Sequence, residues 1–146
     1  MSLSNKINSE ITDAMKAKKA DRLLALRAIK SELLMLATSG KESGEEAEIK
    51  ALQKLVKQRK ESADLYESQS RHDLAEVEIF QADVISEFLP KQLTETELHQ
   101  ALKGIVEKLG ANGPQDMGKV MGAATKELGG KADGKTISET VKQLLS

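Results

Sequence analysis

The sequence predicts an all-α protein, and three features of its composition support this. Of its 146 residues, 73 are Ala, Glu, Lys, Leu or Arg, the types that dominate long helices. Val and Ile supply only 14 residues, and the aromatic residues are Tyr66, Phe80 and Phe88. Sheet proteins draw heavily on β-branched and aromatic residues. We therefore expect a four-helix N-terminal domain followed by a three-helix C-terminal bundle.

The first two helices are predicted from apolar residues at helical spacing. The second covers about residues 21–37, and a polar loop at residues 38–44 follows it. The apolar stripe of the first helix comprises Leu3, Ile7, Ile11, Ala14 and Met15, and that of the second comprises Leu23, Leu26, Ile29, Leu33 and Leu36.

A third helix is predicted over about residues 45–68, where a seam of alternating three- and four-residue spacings predicts an antiparallel hairpin with a neighbouring helix. The seam comprises Ile49, Leu52, Val56, Arg59, Ala63 and Tyr66. Arg59 is the one charged residue in it. We expect a structural ion pair with a carboxylate of a packed helix, with an RNA phosphate as the alternative partner.

The fourth helix is predicted to begin near Asp73, whose side chain suits an N-cap. Its inward face is expected to hold Leu74, Val77, Phe80, Val84, Ile85 and Phe88. The pair Leu89-Pro90 ends this pattern, because proline disfavours helix at the residue before it. We place the domains at residues 1–92 and 93–146.

The C-terminal domain is punctuated by capping signals. Thr94 and Glu97 match a capping box, and Gly110 stops the helix that follows. Pro114 is expected to open a sixth helix, with Met117, Val120, Met121, Ala124 and Leu128 in one stripe. Asp133 is expected to cap a last helix, whose apolar residues are Ile137, Val141, Leu144 and Leu145.

Several functional classes are excluded or disfavoured by composition. The absence of Cys removes disulfides, thiolate nucleophiles and Cys-ligated metals. No apolar stretch is long enough to span a membrane, and the N-terminus does not resemble a signal peptide. No phosphate-binding loop or catalytic motif is present. We expect a cytoplasmic protein with no cofactor, no metal and no catalytic residue of its own. Its oligomeric state is left open.

The net charge of −1 argues against a dedicated nucleic-acid binder, so contact with RNA must come from local clusters. One cluster comprises Lys16, Lys18, Lys19, Arg22, Arg27 and Lys30, and another comprises Lys50, Lys54 and Lys57. The simpler interpretation is a solvated face with ion pairs four residues apart, Glu46 with Lys50 and Lys57 with Glu61. The alternative is phosphate contact, with Arg27, Lys30, Lys54 and Lys57 as candidates.

The C-terminal domain carries a second set of candidates. Gly118 and Gly122 lie on one flank of the sixth helix, although each glycine costs roughly 1 kcal/mol there relative to Ala. The expected gain is close approach of a backbone, either of a crossing helix or of RNA. Lys119 and Lys126 face outward together. Amides at the start of the last helix, with Lys131 and Lys135, suit a phosphate.

Four segments in register resemble the YqeY family, which shares a module with the B subunit of a glutamine-dependent amidotransferase. They are residues 57–62 (KQRKES), 88–93 (FLPKQL), 116–122 (DMGKVMG) and 130–134 (GKADG). The resemblance covers essentially the whole chain. It implies the same arrangement of four and three helices. In the amidotransferase, the module forms a tail that helps to hold the tRNA while other domains carry out the chemistry.

Carried onto this chain, the resemblance implies tRNA contacts at Lys119, Gly122, Lys126, Lys131 and Lys135. The family label of a carbon–nitrogen ligase with glutamine as amido donor then describes kinship, because the tail-like module leaves no room for a catalytic domain. The expected function is an accessory protein that binds tRNA or assists its amidation, with an amidotransferase or another translation protein as partner. The alternative is a helical protein-interaction module with no RNA role.

Overall fold

The computed structural model describes residues 2–40 and 44–146. These residues contain seven α-helices and no strand, which confirms the all-α class. The helices are α1 (Leu3–Lys16), α2 (Ala20–Thr38), α3 (Glu45–Ser68), α4 (His72–Ser86), α5 (Glu95–Leu109), α6 (Met117–Leu128) and α7 (Gly134–Leu145), with a 3-10 turn at Pro114–Asp116. Residues 41–43 of the predicted polar loop lie outside the described part of the chain.

The chain divides into two compact units, Met1–Leu89 with α1–α4 and Pro90–Ser146 with α5–α7. The division falls three residues before the boundary expected from the sequence. Each unit has its own apolar core, so each is described by itself.

The core of the first unit is formed by all four helices. Its buried residues are Ile7, Ala14, Ala25, Leu26, Ile29, Leu33, Leu52, Leu55, Val56, Ala82, Val84 and Ile85. Helices α3 and α4 form the antiparallel hairpin that the seam predicts. Only the part of the hairpin near residues 52–56 and 82–85 belongs to this core. Ala63 and Ala75, farther along the hairpin, are buried but are not part of it.

Two helix ends in the first unit have the same turn. The Lys19 amide donates to the Ala14 carbonyl at 3.0 Å, and the Arg71 amide donates to the Tyr66 carbonyl at 2.8 Å. Each bond spans six residues and places the preceding residue in the left-handed region, as in a Schellman motif. Those residues are Lys18 and Ser70, both with φ of 58°. Neither is glycine, so both turns carry backbone strain that L-residues normally avoid.

Two expectations for α4 are wrong. The helix begins at His72 with Arg71 at the N-cap position, so Asp73 is not the N-cap, and its carboxylate pairs with Arg71 at 3.3 Å. Val77 and Phe80 are 51% and 43% exposed, although the sequence placed them inward. Val84 and Ile85 of the same predicted face are buried. The apolar pattern continues along the helix for longer than the core does.

The second unit packs α5, α6 and α7 around one core. Its buried residues are Leu98, Leu102, Ile105, Val120, Ala124, Leu128, Ile137, Val141 and Leu145. Gly110, with φ of 66°, ends α5 as predicted, and Pro114 opens the 3-10 turn that leads into α6. Asp133 occupies the N-cap position of α7, but its side chain caps no backbone amide.

The capping box at the start of α5 is confirmed. Thr94 Oγ1 accepts from the Glu97 amide at 3.2 Å, and Glu97 Oε1 accepts from the Thr94 amide at 3.1 Å. The bond from the Thr94 backbone lowers the pKa of Glu97. A lowered carboxyl pKa stabilises the fold above the ordinary pKa, and this contribution is lost as the pH falls through the lowered one.

Candidate nucleic-acid interface

The outer face of α6 brings three of the predicted residues together. Lys119, Gly122 and Lys126 are separated by three and four residues, so they lie on one side of the helix. This side is opposite the buried stripe of Val120, Ala124 and Leu128. All three residues of the outer face are exposed. The result is a surface in which a glycine lies between two lysines.

The chain's own packing does not explain the glycines of α6. A Cβ atom added at Gly118 or Gly122 meets no atom within 4 Å beyond the neighbouring backbone of α6, so no other helix of the second unit crosses there. The crossing-helix interpretation of this flank is therefore wrong for the described residues. Gly129 is different, because a Cβ atom there would lie 2.6 Å from the Thr125 carbonyl oxygen. That glycine is needed by the fold, whereas Gly118 and Gly122 leave an open, low surface.

The lysines of the second unit are not neutralised by carboxylates of the described residues. Of the eight lysines in residues 90–146, none has a carboxylate partner within 4.0 Å among the described residues. The unit has seven acidic residues and no arginine, which gives a formal charge of +1. The outer face of α6 therefore offers two unpaired ammonium groups to an anion.

The turn before α7 is fixed to the segment before α5. The Leu93 amide donates to the Lys131 carbonyl at 2.8 Å, and Gln92 Nε2 donates to the Gly130 carbonyl at 2.6 Å. Lys131 and Lys135 are exposed. The Asp133 carboxylate lies between them in sequence, at the start of the helix, where its charge opposes a phosphate. We therefore rank this turn below the outer face of α6 as an anion site.

The candidates of the first unit are exposed but dispersed over two helices. Arg27 and Lys30 are on α2, and Lys54 and Lys57 are on α3. None of the four has an ion-pair partner among the described residues. Of the two pairs expected four residues apart, Glu46 and Lys50 approach to 3.6 Å, whereas Lys57 and Glu61 do not pair.

Arg22 belongs to the fold and not to a binding surface. Its guanidinium donates to Glu87 at 2.8 and 3.2 Å and to Glu10 at 3.1 Å, which joins α2 to α1 and to the end of α4. The bonds to Glu87, opposed by burial and helped by Glu10, raise the pKa of Arg22. The sequence analysis placed Arg22 in a basic cluster. Its partners are 12 and 65 residues away, and nothing in the neighbouring sequence indicates them.

Arg59 has an amide partner where a carboxylate was expected. Its Nε donates to Gln81 Oε1 on α4 at 3.3 Å, and no carboxylate lies within 4.0 Å of it among the described residues. The residue is half-buried in the hairpin interface. The seam position required a polar partner, and a neutral side chain provides it.

Metal and membrane sites do not emerge from the described part of the chain. In it, no three His, Cys, Asp or Glu side chains are arranged to hold a metal ion. No helix in the described ranges is long and apolar enough to cross a membrane.

These features define a class: a helical protein of two compact units with an exposed lysine–glycine surface. The family model described as Yqey-like protein matches residues 4–145. The chain belongs to this family. It is 26% identical over 144 residues to "Altered inheritance of mitochondria protein 41, mitochondrial" of Pyrenophora tritici-repentis, which covers 96% of this chain and 79% of the relative. It is 34% identical over 85 residues to the protein of that name from Meyerozyma guilliermondii, which covers 58% of this chain and 45% of the relative.

Proposed function

We propose that this protein is an accessory RNA-binding protein that holds tRNA through the outer face of α6 and has no catalytic centre of its own. The observation that carries the proposal is the combination of two unpaired lysines, Lys119 and Lys126, with an exposed glycine between them. Lysines supply sequence-independent affinity for phosphates, and a glycine lets a ligand backbone approach the helix closely.

The chemistry of the second unit favours folded RNA over single strands. Single-stranded nucleic acid is held largely by stacking of bases on aromatic side chains. Residues 90–146 contain no Phe, Tyr or Trp, and the one ring that could stack on a base there is the imidazole of His99. Structured RNA is recognised by its shape and by its phosphates and 2′-hydroxyls, which lysines and an open helix surface suit.

The test is an anisotropy titration of labelled tRNA with the full chain at low salt. We expect binding that weakens as salt rises, and a marked loss in the double variant Lys119→Glu with Lys126→Glu. The matched control is Lys103→Glu with Lys142→Glu, which changes the net charge equally on α5 and α7. A chain that binds no tRNA at low salt, or a control variant that loses as much affinity, contradicts the proposal.

The finer assignments depend on this result. The same proposal has two secondary parts. The first is further contact with tRNA by Lys131, Lys135 and the exposed basic residues of α2 and α3, and the second is an amidotransferase as the partner protein. The cytoplasmic location expected from the sequence also stays a prediction, and the two relatives carry the word mitochondrial in their names. Failure of all tRNA binding favours the alternative, a helical protein-interaction module without an RNA role.

A further inference from the structure

The far part of the α3–α4 hairpin, residues 59–80, differs from the rest of the first unit. We refer to it as the arm. Its buried side chains are Ala63 and Ala75, which lie outside the core that α1 and α2 help to build. Small residues let two helices approach closely, but they bury little apolar area. The arm is therefore a two-helix structure, whereas the base of the hairpin has further helices packed on it.

One stripe of α4 passes from the core onto the arm. Val77, Phe80 and Val84 follow one another at spacings of three and four residues, so they share a face of α4, and Phe88 follows in the turn after the helix ends at Ser86. Val84 is 3% exposed in the core, and Phe88 packs against that core. Val77 and Phe80 are 51% and 43% exposed. The full burial of this stripe thus ends between Val84 and Phe80, and the apolar face continues half exposed.

Acidic side chains border the uncovered part of the stripe. Glu76 lies four residues before Phe80, and Asp83 lies three residues after it; both are exposed, and neither has an ion-pair partner among the described residues. Helix α4 carries four acidic residues and no Lys or Arg. The nearest arginine in the sequence, Arg71, is already paired with Asp73.

We propose that the Val77–Phe80 face of the arm is a docking site for a basic amphipathic helix of a partner protein. Such a helix would place its apolar residues on Val77 and Phe80, extend the helix packing of the core along the stripe, and set its Lys or Arg residues against Glu76 and Asp83. Amphipathic helices bind apolar surfaces in this way, and complementary charge selects the partner. The same acidic border repels nucleic acid, so this site and the lysine face of α6 take different ligands.

The test uses the full chain and three synthetic peptides of about 18 residues that share one leucine stripe. Their flanking residues are Lys and Arg, Glu, or Gln and Ser. We expect fluorescence anisotropy at near-physiological salt to give the basic peptide a Kd at least about tenfold lower than that of the acidic peptide. Equal affinity for the basic and acidic peptides overturns the proposal.

Two variants locate the binding site. Val77→Ser with Phe80→Ser is expected to weaken binding of the basic peptide at least about tenfold. The control is Leu24→Ser with Met35→Ser on α2, which removes two side chains of similar exposure, 56% and 59%, and is expected to leave the Kd unchanged. Equal loss in the control overturns the proposal.

A charge variant and a measurement of mass complete the design. Glu76→Gln with Asp83→Asn keeps the apolar face and is expected to reduce the preference for the basic peptide over the acidic one severalfold. This variant tests the same site if the Val77→Ser with Phe80→Ser variant fails to fold. An unchanged preference contradicts the proposal. Light scattering of the chain alone tests the other occupant: a dimer that Phe80→Ser dissociates would show that two copies cover this face, and would overturn the assignment to a basic partner.

Discussion

The arm and the outer face of α6 are both exposed helix surfaces, but they differ in chemistry. The arm presents Val77 and Phe80 beside the acidic side chains Glu76 and Asp83, whereas α6 presents Lys119 and Lys126 around a glycine. The first unit has a formal charge of −2 and the second of +1, from 14 and 8 basic residues against 16 and 7 acidic ones. The net charge of −1 therefore conceals two surfaces of different chemistry. A near-neutral chain can still separate its ligands by charge.

The largest expected effect is that a variant of each surface loses the ligand of that surface and keeps the ligand of the other. Lys119→Glu with Lys126→Glu is expected to weaken tRNA binding by about tenfold or more. The slope of log K against log salt concentration is expected to become shallower by about 1–2, because the two lysines proposed to contact phosphates are removed. The same variant is expected to leave binding of the basic peptide unchanged. Val77→Ser with Phe80→Ser is expected to do the reverse. If either variant weakens both ligands equally, the surfaces are not independent.

A second effect separates cations that serve the fold from cations that are free. Arg22→Met is expected to lower the free energy of unfolding of the first unit by about 1–2 kcal/mol, since it removes hydrogen bonds to two partly exposed carboxylates. Lys126→Met is expected to change stability by less than about 0.5 kcal/mol, as surface substitutions usually do. Urea denaturation of both variants measures this, and equal losses would show that Lys126 is also a structural residue.

The glycines of α6 provide a third, smaller effect. Gly122→Ala is expected to raise the free energy of unfolding by about 0.5–1 kcal/mol, because Ala favours helix and its Cβ meets open space. The same substitution is expected to weaken tRNA binding. The matched control is Gly104→Ala on α5, where the site is also open and exposed. This variant is expected to gain similar stability with no change in tRNA affinity. Unchanged binding by Gly122→Ala would remove the glycine from the site.

The smallest effect concerns the two strained turns of the first unit. Ser70→Gly at the end of the arm, and Lys18→Gly between α1 and α2, are each expected to stabilise the chain by roughly 0.5 kcal/mol. Glycine relieves the strain of an L-residue in the left-handed region, and the larger conformational entropy of glycine in the unfolded chain offsets part of that gain. Gly110→Ala in the second unit is the inverse control and is expected to destabilise the chain. Thermal melts test all three. A loss of stability on Ser70→Gly would mean that its side chain contributes more than its backbone strain costs.

Local patterns in the sequence predicted the helices well. The bounds of α3, the Thr94–Glu97 box and the stop at Gly110 follow from residues within a few positions of one another, which is the range over which caps and helical periodicity act. The exposure of Val77 and Phe80 could not be predicted, because it depends on where other helices stop covering α4. The stripe was visible, but the extent of its covering was not.

The candidate site was predicted in the same uneven way. The shared face of Lys119, Gly122 and Lys126 follows from helical geometry alone. The sequence could not separate Arg22 from Arg27, since the partners of Arg22 come from distant segments. Nor could it decide whether a helix crosses Gly118 and Gly122, or that Arg59 meets Gln81 and not a carboxylate. Each of these depends on tertiary contacts, which periodicity does not reveal.

The α4 stripe that runs from buried Val84 to exposed Val77 has a thermodynamic consequence. A partner that binds only the folded arm stabilises it by mass action, by about 2.7 kcal/mol at a concentration of one hundred times its Kd. Because the stripe is shared with the core of the first unit, this stabilisation is transmitted to that whole unit, while the second unit keeps a separate core. The melting curve of the chain thus becomes a report on which surface is occupied. We therefore expect a ligand bound to the arm to raise the melting transition of the first unit, and RNA bound to α6 to raise that of the second.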